Sequence, residues 1–327
     1  MNSDGMLGMR LFPDYAPEPD DHTPLPQDYA RALHDHIHGQ DEAVRVASVI
    51  AWNHQHGRRQ TALFMGPTGC GKTEIWRQLS ARIDNVTIVD GSQLTANGFR
   101  GLHIRDIFQA CHSRADSERL LLVVDEADKL MEPLTNSDGC DYSRALQNEF
   151  LKICDGDTVT YSAESNRYST AFTVNCKRVS VVFLGAFEGM LEKMDKARKS
   201  GQKTIGFGSN PTLEPVSHTD ITIDDLIGYG NVRREIAGRI QTITVMHGMT
   251  ATDYRAILDA PTMSPISILA QEYGKQIIVD ERLKDDLCAT AAEQKLGVRY
   301  VTNQLRQHVN RALYDDPLAG TLIIGNP

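Results

Sequence analysis

One short stretch constrains the fold of this 327-residue chain more than any other. It has the pattern G-x-x-x-x-G-K-[ST] and consists of Gly66, Pro67, Thr68, Gly69, Cys70, Gly71, Lys72 and Thr73. The apolar residues 61–65 before it are typical of a buried strand, and residues 74–83 after it have helical spacing. Glycines in such a loop let backbone amides and a helix N-terminus converge on a polyphosphate. We therefore expect a nucleoside triphosphate here, with Lys72 at its β- and γ-phosphates and Thr73 as a ligand of Mg²⁺.

A pair of carboxylates follows a second predicted strand. Residues 120–124 are all apolar and are followed directly by Asp125 and Glu126. A carboxylate that leaves the C-terminal end of a buried parallel strand points into the crevice where such sheets bind ligands. We expect Asp125 to hold Mg²⁺ through water and Glu126 to orient and deprotonate an attacking water. The alternative for this pair is a solvated acidic turn.

Composition limits the classes of partner. The chain has 41% hydrophobic and 24% charged residues, which suits a globular protein of about two domains. Its net charge of -9 disfavours nucleic acid as a partner, although a local basic channel stays open as an alternative. No apolar run approaches the roughly 20 residues that span a bilayer, and the first ten residues have no signal-peptide pattern. We therefore expect a cytoplasmic protein without a membrane partner.

Cysteine and histidine spacing does not indicate a metal site. The six cysteines form no C-x-x-C pair, so we expect reduced thiols rather than a zinc ribbon or a disulfide framework. No carboxylate or cysteine is positioned to complete a site with the histidines at 34, 36, 38, 54 and 56, which we interpret as surface or pocket-lining residues. Mg²⁺ is the only metal expected.

The order of predicted elements gives the fold class. Strands are predicted over 61–65, 86–90, 120–124 and 179–184. A helix is predicted before them, over about 41–53, and helices over 74–83, 102–112 and 141–154 lie between them. Alternating strands and helices predict an α/β fold with a parallel sheet. A hairpin is predicted from 158–162 and 170–174, and the basic residues from 193 to 203 are interpreted as a solvated loop.

The pattern changes near residue 250. Four helices are predicted over 253–258, 266–273, 281–294 and 300–313, with short strands at 276–279 and 321–324. The chain is therefore divided into a Pro-rich, disordered or extended lead-in at 1–26, a large α/β domain at 27–249 and a small, mostly helical domain at 250–327.

Several motifs, in this order along the chain, resemble the AAA+ ATPases, and among them the ClpX and HslU type of protein unfoldase. They are residues 37–43, the loop at 66–73, Ala127-Asp128-Lys129-Leu130, Gly185-Ala186-Phe187 and Gly206-Phe207-Gly208. The loop differs from that of ClpX only at Cys70, where the family usually has serine. The resemblance covers about residues 26–317 and implies an AAA+ P-loop NTPase domain, ATP hydrolysis with Mg²⁺, and ATP-driven unfolding and threading of protein substrates.

The resemblance also assigns roles to single residues. It places Ile37 and His38 at the adenine pocket, Arg239 as an arginine finger donated to the neighbouring subunit, and Arg299 as a small-domain sensor arginine. A finger donated in this way implies self-association into a ring, with a homohexamer as the expected form. For each arginine the alternative is a surface or salt-bridge side chain, and Arg233 and Arg234 compete with Arg239 for the finger.

Two further motifs imply protein partners. Phe99 and Arg100 lie where ClpX has an aromatic pore loop that grips polypeptide, and a tight turn with a buried anchor is the alternative. Ile205, Gly206 and Phe207 resemble the tripeptide that docks ClpX rings on the ClpP peptidase, so a ClpP-like partner is implied. The alternative is that Phe207 folds back on its own domain.

The sequence also departs from the ClpX pattern. We expect the chain to lack the N-terminal zinc-binding domain, so adaptor recognition is not carried over. Phe183, Leu184 and Gly185 occupy the end of the fourth predicted strand, where the family usually has a polar sensor. A nucleotide-switched scaffold that assembles without threading is therefore kept as a rival to the unfoldase, and a nucleic-acid remodeller as a second rival.

Overall fold

A five-stranded parallel sheet forms the centre of the protein. The computed structural model describes residues 24–96, 101–112, 119–133, 141, 143–161, 171–201, 221–261 and 263–325. The strands are β1 (Thr61–Met65), β2 (Val86–Asp90), β3 (Leu121–Asp125), β4 (Thr158–Tyr161), β5 (Phe172–Asn175), β6 (Ser180–Gly185), β7 (Thr242–Val245), β8 (Gln276–Val279) and β9 (Thr321–Ile324). The central sheet has the order β2-β3-β6-β1-β7, with every neighbouring pair parallel. The predicted α/β class is confirmed.

Helices connect these strands and extend the chain beyond them. They are α1 (Pro26–His34), α2 (Asp41–Gln55), α3 (Lys72–Ser80), α4 (Ile104–His112), α5 (Ala127–Met131), α6 (Ser143–Asp155), α7 (Glu188–Gly201), α8 (Ile223–Gly228), α9 (Arg234–Ala237), α10 (Ala251–Asp259), α11 (Pro265–Tyr273), α12 (Glu281–Glu293) and α13 (Gly297–Asp315). No helix among these described ranges is long and apolar enough to cross a membrane.

The central strands are buried on both faces. Leu63 and Met65 of β1 pack into one core cluster, with residues of α4 to α6, whereas Ala62 and Phe64 pack into another, with residues of α1 to α3. Strands β3 and β6 alternate in the same way. Burial on both faces explains why these strands are nearly continuous apolar runs.

A separate core cluster lies in the chain after residue 250. It joins apolar residues of α10 to α13 with the inward residues of β8 and β9. The parallel pairing of β8 with β9 aligns Ile277 with Leu322 and Val279 with Ile324, all of them buried. Ile278 and Ile323 lie on the other face of this pair and are 46% and 75% exposed.

One predicted loop is a helix. The basic segment that begins at Lys193 was expected to be a solvated loop, but residues up to Gly201 belong to α7. The helix forms because lysine and arginine are good helix formers, while Met190 supplies a buried anchor and Glu192 pairs with Lys196 one turn later. A run of charge is therefore compatible with a regular helix here.

Candidate nucleotide-binding and catalytic site

The phosphate loop connects β1 to α3 at the C-terminal edge of the sheet. Two of its glycines have positive φ, 80° at Gly69 and 99° at Gly71, and Gly71 is the N-cap of α3. A side chain is disfavoured at both positions by this backbone conformation. The first amides of α3 therefore face the loop, as the predicted phosphate cradle requires.

The side chain of Lys72, the first residue of α3, folds back onto the phosphate loop. This side chain is buried, and Nζ donates hydrogen bonds to the carbonyl oxygens of Gly66 at 2.7 Å and Pro67 at 2.9 Å. These carbonyls hold the ammonium at the mouth of the cradle, where phosphate oxygens are acceptors of the same kind with added negative charge. The buried neighbour Cys70 adds no charge to the loop, because burial raises the pKa of its thiol.

The two residues predicted to hold Mg²⁺ are in direct contact. Thr73 donates from Oγ1 to Oδ2 of Asp125 at 2.7 Å, and Oδ1 of Asp125 accepts from the backbone N–H of Glu126 at 3.0 Å. The contact forms because α3 begins beside the C-terminal end of β3. Hydroxyl and carboxylate oxygens are the hard donors that suit Mg²⁺, which usually completes its shell with water and phosphate. These residues therefore fit the predicted ion.

Glu126 has a strained backbone at the end of β3. Its φ is 52°, in the left-handed region, although it is not glycine. It occupies the N-cap position of α5 without making a side-chain capping bond, and it is exposed. Strain of this kind persists where the surroundings impose it, and it is concentrated at functional sites. The exposed Glu126 thus follows Asp125 directly, at the point where the sequence predicts a group that acts on water.

The motifs at residues 127–130 and 185–187 are joined by a hydrogen bond. Asp128 is buried, and its Oδ2 accepts from the backbone N–H of Phe187 at 3.1 Å. Phe187 also has a positive φ, of 52°, and a Cβ added at Gly185 would lie 2.6 Å from its ring. The turn after β6 is therefore fixed to α5. The sequence alone does not predict this bond, because nothing in the sequence of α5 distinguishes the buried Asp128 from an exposed carboxylate.

Glu188 is a second residue that sequence reasoning missed. It begins α7, and its Oε1 accepts from Oγ1 of Thr68 in the phosphate loop at 3.3 Å. The end of β6 provides no polar side chain, because it consists of the buried Phe183 and Leu184 and of Gly185. The loop thus contacts this side of the sheet through the backbone bond from the N–H of Gly66 to the carbonyl of Gly185 at 3.3 Å and through the side chain of Glu188.

The predicted adenine-pocket residues lie between α1 and α2. Ile37 is buried in the same core cluster as Cys70 of the loop and Met246, which directly follows β7. Gln40 is buried as well, and its amide donates to the carbonyl of His247 at 2.8 Å and accepts from the N–H of His247 at 3.2 Å. These two hydrogen bonds tie the segment that contains Ile37 and His38 to the chain after β7.

The predicted sensor arginine is carried by a helix that contacts the loop. Gly297, the first residue of α13, packs against Gly69, so that a Cβ added at Gly297 would lie 3.1 Å from the Cα of Gly69. Arg299 is exposed in the first turn of the same helix. The structure therefore brings the helix of Arg299 to the phosphate loop of the same chain.

Comparisons with known proteins agree with this geometry. Residues 62–198 match the ATPase family associated with various cellular activities (AAA). A protein of Treponema denticola named ATP-dependent Clp protease ATP-binding subunit ClpX is 27% identical over 322 residues, covering 89% of this chain and 76% of that one. A protein of the same name from Bacteroides thetaiotaomicron is 26% identical over 307 residues, covering 84% of this chain and 73% of that one. The chain therefore contains an AAA ATPase domain and is similar over most of its length to proteins named ClpX.

In this ATPase, Arg239 lies away from the loop of its own chain. It precedes β7, whose first residue Thr242 pairs with Ala62 near the start of β1, and Gln241 donates to the carbonyl of Thr61 at 2.9 Å. The loop follows the other end of β1, about 15 Å away along a five-residue strand. The structure therefore does not bring Arg239 together with Lys72, Thr73 and Glu126.

The remaining predicted residues cannot be placed in the ATPase. Phe99 and Arg100, and likewise Ile205, Gly206 and Phe207, lie outside the described residues. Arg233, the competitor of Arg239, bonds from Nε to Oε2 of Glu235 at 3.2 Å and from Nη1 to Oδ1 of Asn148.

Proposed function

We propose that this ClpX-type ATPase couples ATP hydrolysis to the unfolding and threading of protein substrates. The observation that carries the proposal is the extent of the likeness, because the two relatives named ClpX align with 84% to 89% of the chain. We take residues 27–249 as the large ATPase domain and 250–327 as the small domain. The separate core cluster after residue 250 supports that division.

The proposed chemistry assigns one task to each group at the loop. The amides of residues 66–73 and the ammonium of Lys72 bind the phosphates, and Thr73 and Asp125 hold Mg²⁺. The ion, when bound, neutralises charge on the β- and γ-phosphate oxygens. Glu126 accepts a proton from the attacking water, while Arg299 reaches the nucleotide from its own α13. The hydrogen bond of Thr73 to Asp125 supports this assignment, because it places the hydroxyl and the carboxylate close enough to serve one ion.

Assembly into a ring, as a homohexamer, is the second part of the proposal. Arg239 lies at the end of the sheet opposite its own phosphate loop, so a second copy of the chain is needed for it to act on a nucleotide. The small domain also exposes apolar residues around β8 and β9, which suit burial against a second copy. These are Ile278, Tyr314, Leu318 and Ile323, with Leu318 90% exposed.

The proposal is tested by ATP turnover and particle mass measured together. We expect ATP with Mg²⁺ to shift the protein from smaller species to a hexamer in light scattering, and an unfolded protein to stimulate turnover several-fold. DNA is the control polymer and should leave turnover unchanged. Assembly without stimulation by unfolded protein would contradict threading.

The proposed pore residue gives a direct test of gripping. Phe99→Ala should leave ATP turnover intact and stop the unfolding of a tagged folded protein, because only the bulky ring that contacts polypeptide is removed. Phe99→Tyr is the matched control, since it keeps the ring. Equal unfolding by Phe99→Ala and the unmodified chain would exclude this residue as the grip.

We also propose that the ring docks on a ClpP-like peptidase through Ile205, Gly206 and Phe207. Several weak contacts from one ring would combine through effective concentration into a useful affinity. Phe207→Ala should abolish stimulated peptide cleavage while turnover and ring mass stay unchanged. Failure of the unmodified ring to co-migrate with such a peptidase in ATP would argue against docking.

A nucleotide-switched scaffold is the second candidate function. The observation that favours it is the fully buried, apolar end of β6, where Phe183 and Leu184 leave no polar side chain to report hydrolysis. A scaffold would assemble on ATP without unfolding any tagged substrate, so the substrate-stimulated turnover described above separates the two candidates.

A further inference from the structure

Asp155 holds Arg239 by one edge of its guanidinium group. Oδ1 of Asp155 accepts from Nε of Arg239 at 2.7 Å, and Oδ2 accepts from Nη2 at 3.1 Å. A third bond runs from Nη1 to the backbone carbonyl of Glu235 at 3.0 Å. The paired bonds fix the plane of the group, because a carboxylate and a guanidinium match in a flat, two-bond arrangement.

The same pairing leaves the outer end of the group available. An arginine has five N–H donors. Three are engaged by Asp155 and Glu235, so one on Nη1 and one on Nη2 remain, counting contacts within the part of the chain that the structure describes. Two N–H groups at the end of a fork match two oxygens of a phosphoryl group. Asp155 therefore orients Arg239 without occupying the edge that a phosphate would need.

Helix α6 fixes the whole segment that leads to Arg239. Gln147 of α6 donates to the carbonyl of Asn231 at 3.2 Å and accepts from the N–H of Arg233 at 2.9 Å. Asp155 is the last residue of the same helix. The segment from Asn231 to Arg239 is thus held at both ends by one helix, α6.

Stability alone does not account for the Asp155 and Arg239 pair. The side chains are 33% and 39% exposed, and ion pairs with this much solvent contact contribute little to folding. The ion pair matters more for the orientation of Arg239, because a reacting group that is poorly oriented loses much of its effect on rate.

We propose that Asp155 is the positioning residue of the arginine finger: it fixes the plane of Arg239 so that the outer N–H groups meet the γ-phosphoryl group bound by the neighbouring subunit. The inference rests on the proposed role of Arg239 as a finger in trans. Asp155 then contributes to hydrolysis at the nucleotide site of the neighbouring subunit and not at the phosphate loop of its own chain.

The test is turnover by Asp155→Asn, alone and in mixed rings. The amide keeps the size of the side chain but loses its charge and one acceptor. We expect kcat to fall roughly 10- to 100-fold with KM for ATP unchanged, since orientation and not binding is altered. Asp157 is exposed and lies two residues further along the chain. Asp157→Asn is therefore the matched control and should turn over ATP like the unmodified chain. Asp155→Ser provides a second variant with the same expectation.

Mixed rings give the readout that a structural role would not produce. Asp155→Asn chains have a sound loop and a disordered finger, so mixing them with Lys72→Ala chains, which have a sound finger, should recover turnover at the interfaces that combine the two. Mixing them with Arg239→Ala chains should recover nothing. Turnover by Asp155→Asn at or above the unmodified level, or recovery with Arg239→Ala chains, would overturn the proposal.

A reference mixture separates this inference from the proposed function. Arg239→Ala chains mixed with Lys72→Ala chains should regain activity if the finger acts in trans. No recovery there, with mixed rings shown to form, would overturn the finger and this inference together. Recovery there, combined with a fully active Asp155→Asn variant, would overturn the role of Asp155 alone.

Discussion

Gly69 of the phosphate loop and Gly297 of α13 contact each other backbone to backbone. A Cβ added at Gly69 would lie 2.8 Å from the Cα of Gly297, and one added at Gly297 would lie 3.1 Å from the Cα of Gly69. Both residues have positive φ, 80° and 74°. A movement of α13 relative to the central sheet must therefore alter the packing of the phosphate loop.

Gly297→Ala is predicted to weaken ATP binding in addition to destabilising the fold. A left-handed alanine costs about 1 kcal/mol, and the added methyl group must also push α13 away from Gly69. The matched control is Gly274→Ala, where φ is 61° and an added Cβ meets nothing within 4 Å. Urea unfolding and titration with a fluorescent ATP analogue measure the two effects. Equal loss of ATP affinity in both variants would show that contact with the loop is unimportant.

Glu126→Gln is predicted to bind ATP and fail to hydrolyse it. The amide keeps the shape of the side chain but cannot take a proton from water, so turnover should fall by a factor of 10² to 10⁴. ATP affinity should stay within about two-fold, because Lys72, Thr73 and Asp125 are untouched. Filter binding and phosphate release measure the two quantities. The exposed Glu132, which pairs with Lys129 at 3.3 Å, supplies the control Glu132→Gln, with normal turnover expected. Loss of ATP binding by Glu126→Gln would contradict its assignment.

Asp125→Asn is predicted to reduce the contribution of Mg²⁺ to ATP binding. The unmodified chain should bind ATP more weakly when the metal is removed with a chelator, since Thr73 and Asp125 then hold no ion. In the Asp125→Asn variant the difference between Mg²⁺ and chelator should shrink, while affinity in chelator stays near that of the unmodified chain. Asp90, on the neighbouring strand β2, pairs with Asp125 in register and gives the control Asp90→Asn. An unchanged Mg²⁺ effect in Asp125→Asn would place the ion elsewhere.

Local sequence signals predicted most strands of the central sheet and the β8–β9 pair. Strands β1, β2, β8 and β9 have the predicted bounds, and β3 and β6 differ from prediction by one residue at each end. The edge strand β7 was missed, because Thr242–Val245 is only four residues long, alternates Thr with apolar residues and is mostly half-buried. Such a short alternating run is not distinguishable from a loop.

Contacts between distant parts of the chain were not predictable from one sequence. The loop motif fixed the neighbourhood of Lys72 and Thr73, and the apolar strand fixed that of Asp125. The bonds of Asp155 to Arg239 and of Gln40 to His247, however, join residues 84 and 207 positions apart. No periodicity or spacing marks such pairs, since only the assembled sheet brings them together.

The amide of Gln40 donates a hydrogen bond that an ionised carboxylate cannot make. It donates to and accepts from the backbone of His247, and only a group with both functions satisfies the two. Gln40→Glu keeps the acceptor and replaces the donor by a buried negative charge beside a carbonyl. At neutral pH we expect a loss of about 2 to 3 kcal/mol in the free energy of unfolding.

The loss should depend on pH in a definite direction. Burial raises the pKa of the new carboxyl in the folded state above the usual value of about 4.3 for glutamate. A protonated carboxyl can donate to His247, so the variant should be close to the unmodified chain near pH 4, below the unfolded pKa. Its stability should then fall as pH rises through the folded pKa. Urea unfolding at pH 4.5, 6 and 8 measures this difference, and the exposed Gln271→Glu is the control, for which no pH-dependent deficit is expected. A deficit in Gln40→Glu that stays constant from pH 4.5 to 8 would mean that the donor bond to His247 does not hold the segment of Ile37 and His38 in place.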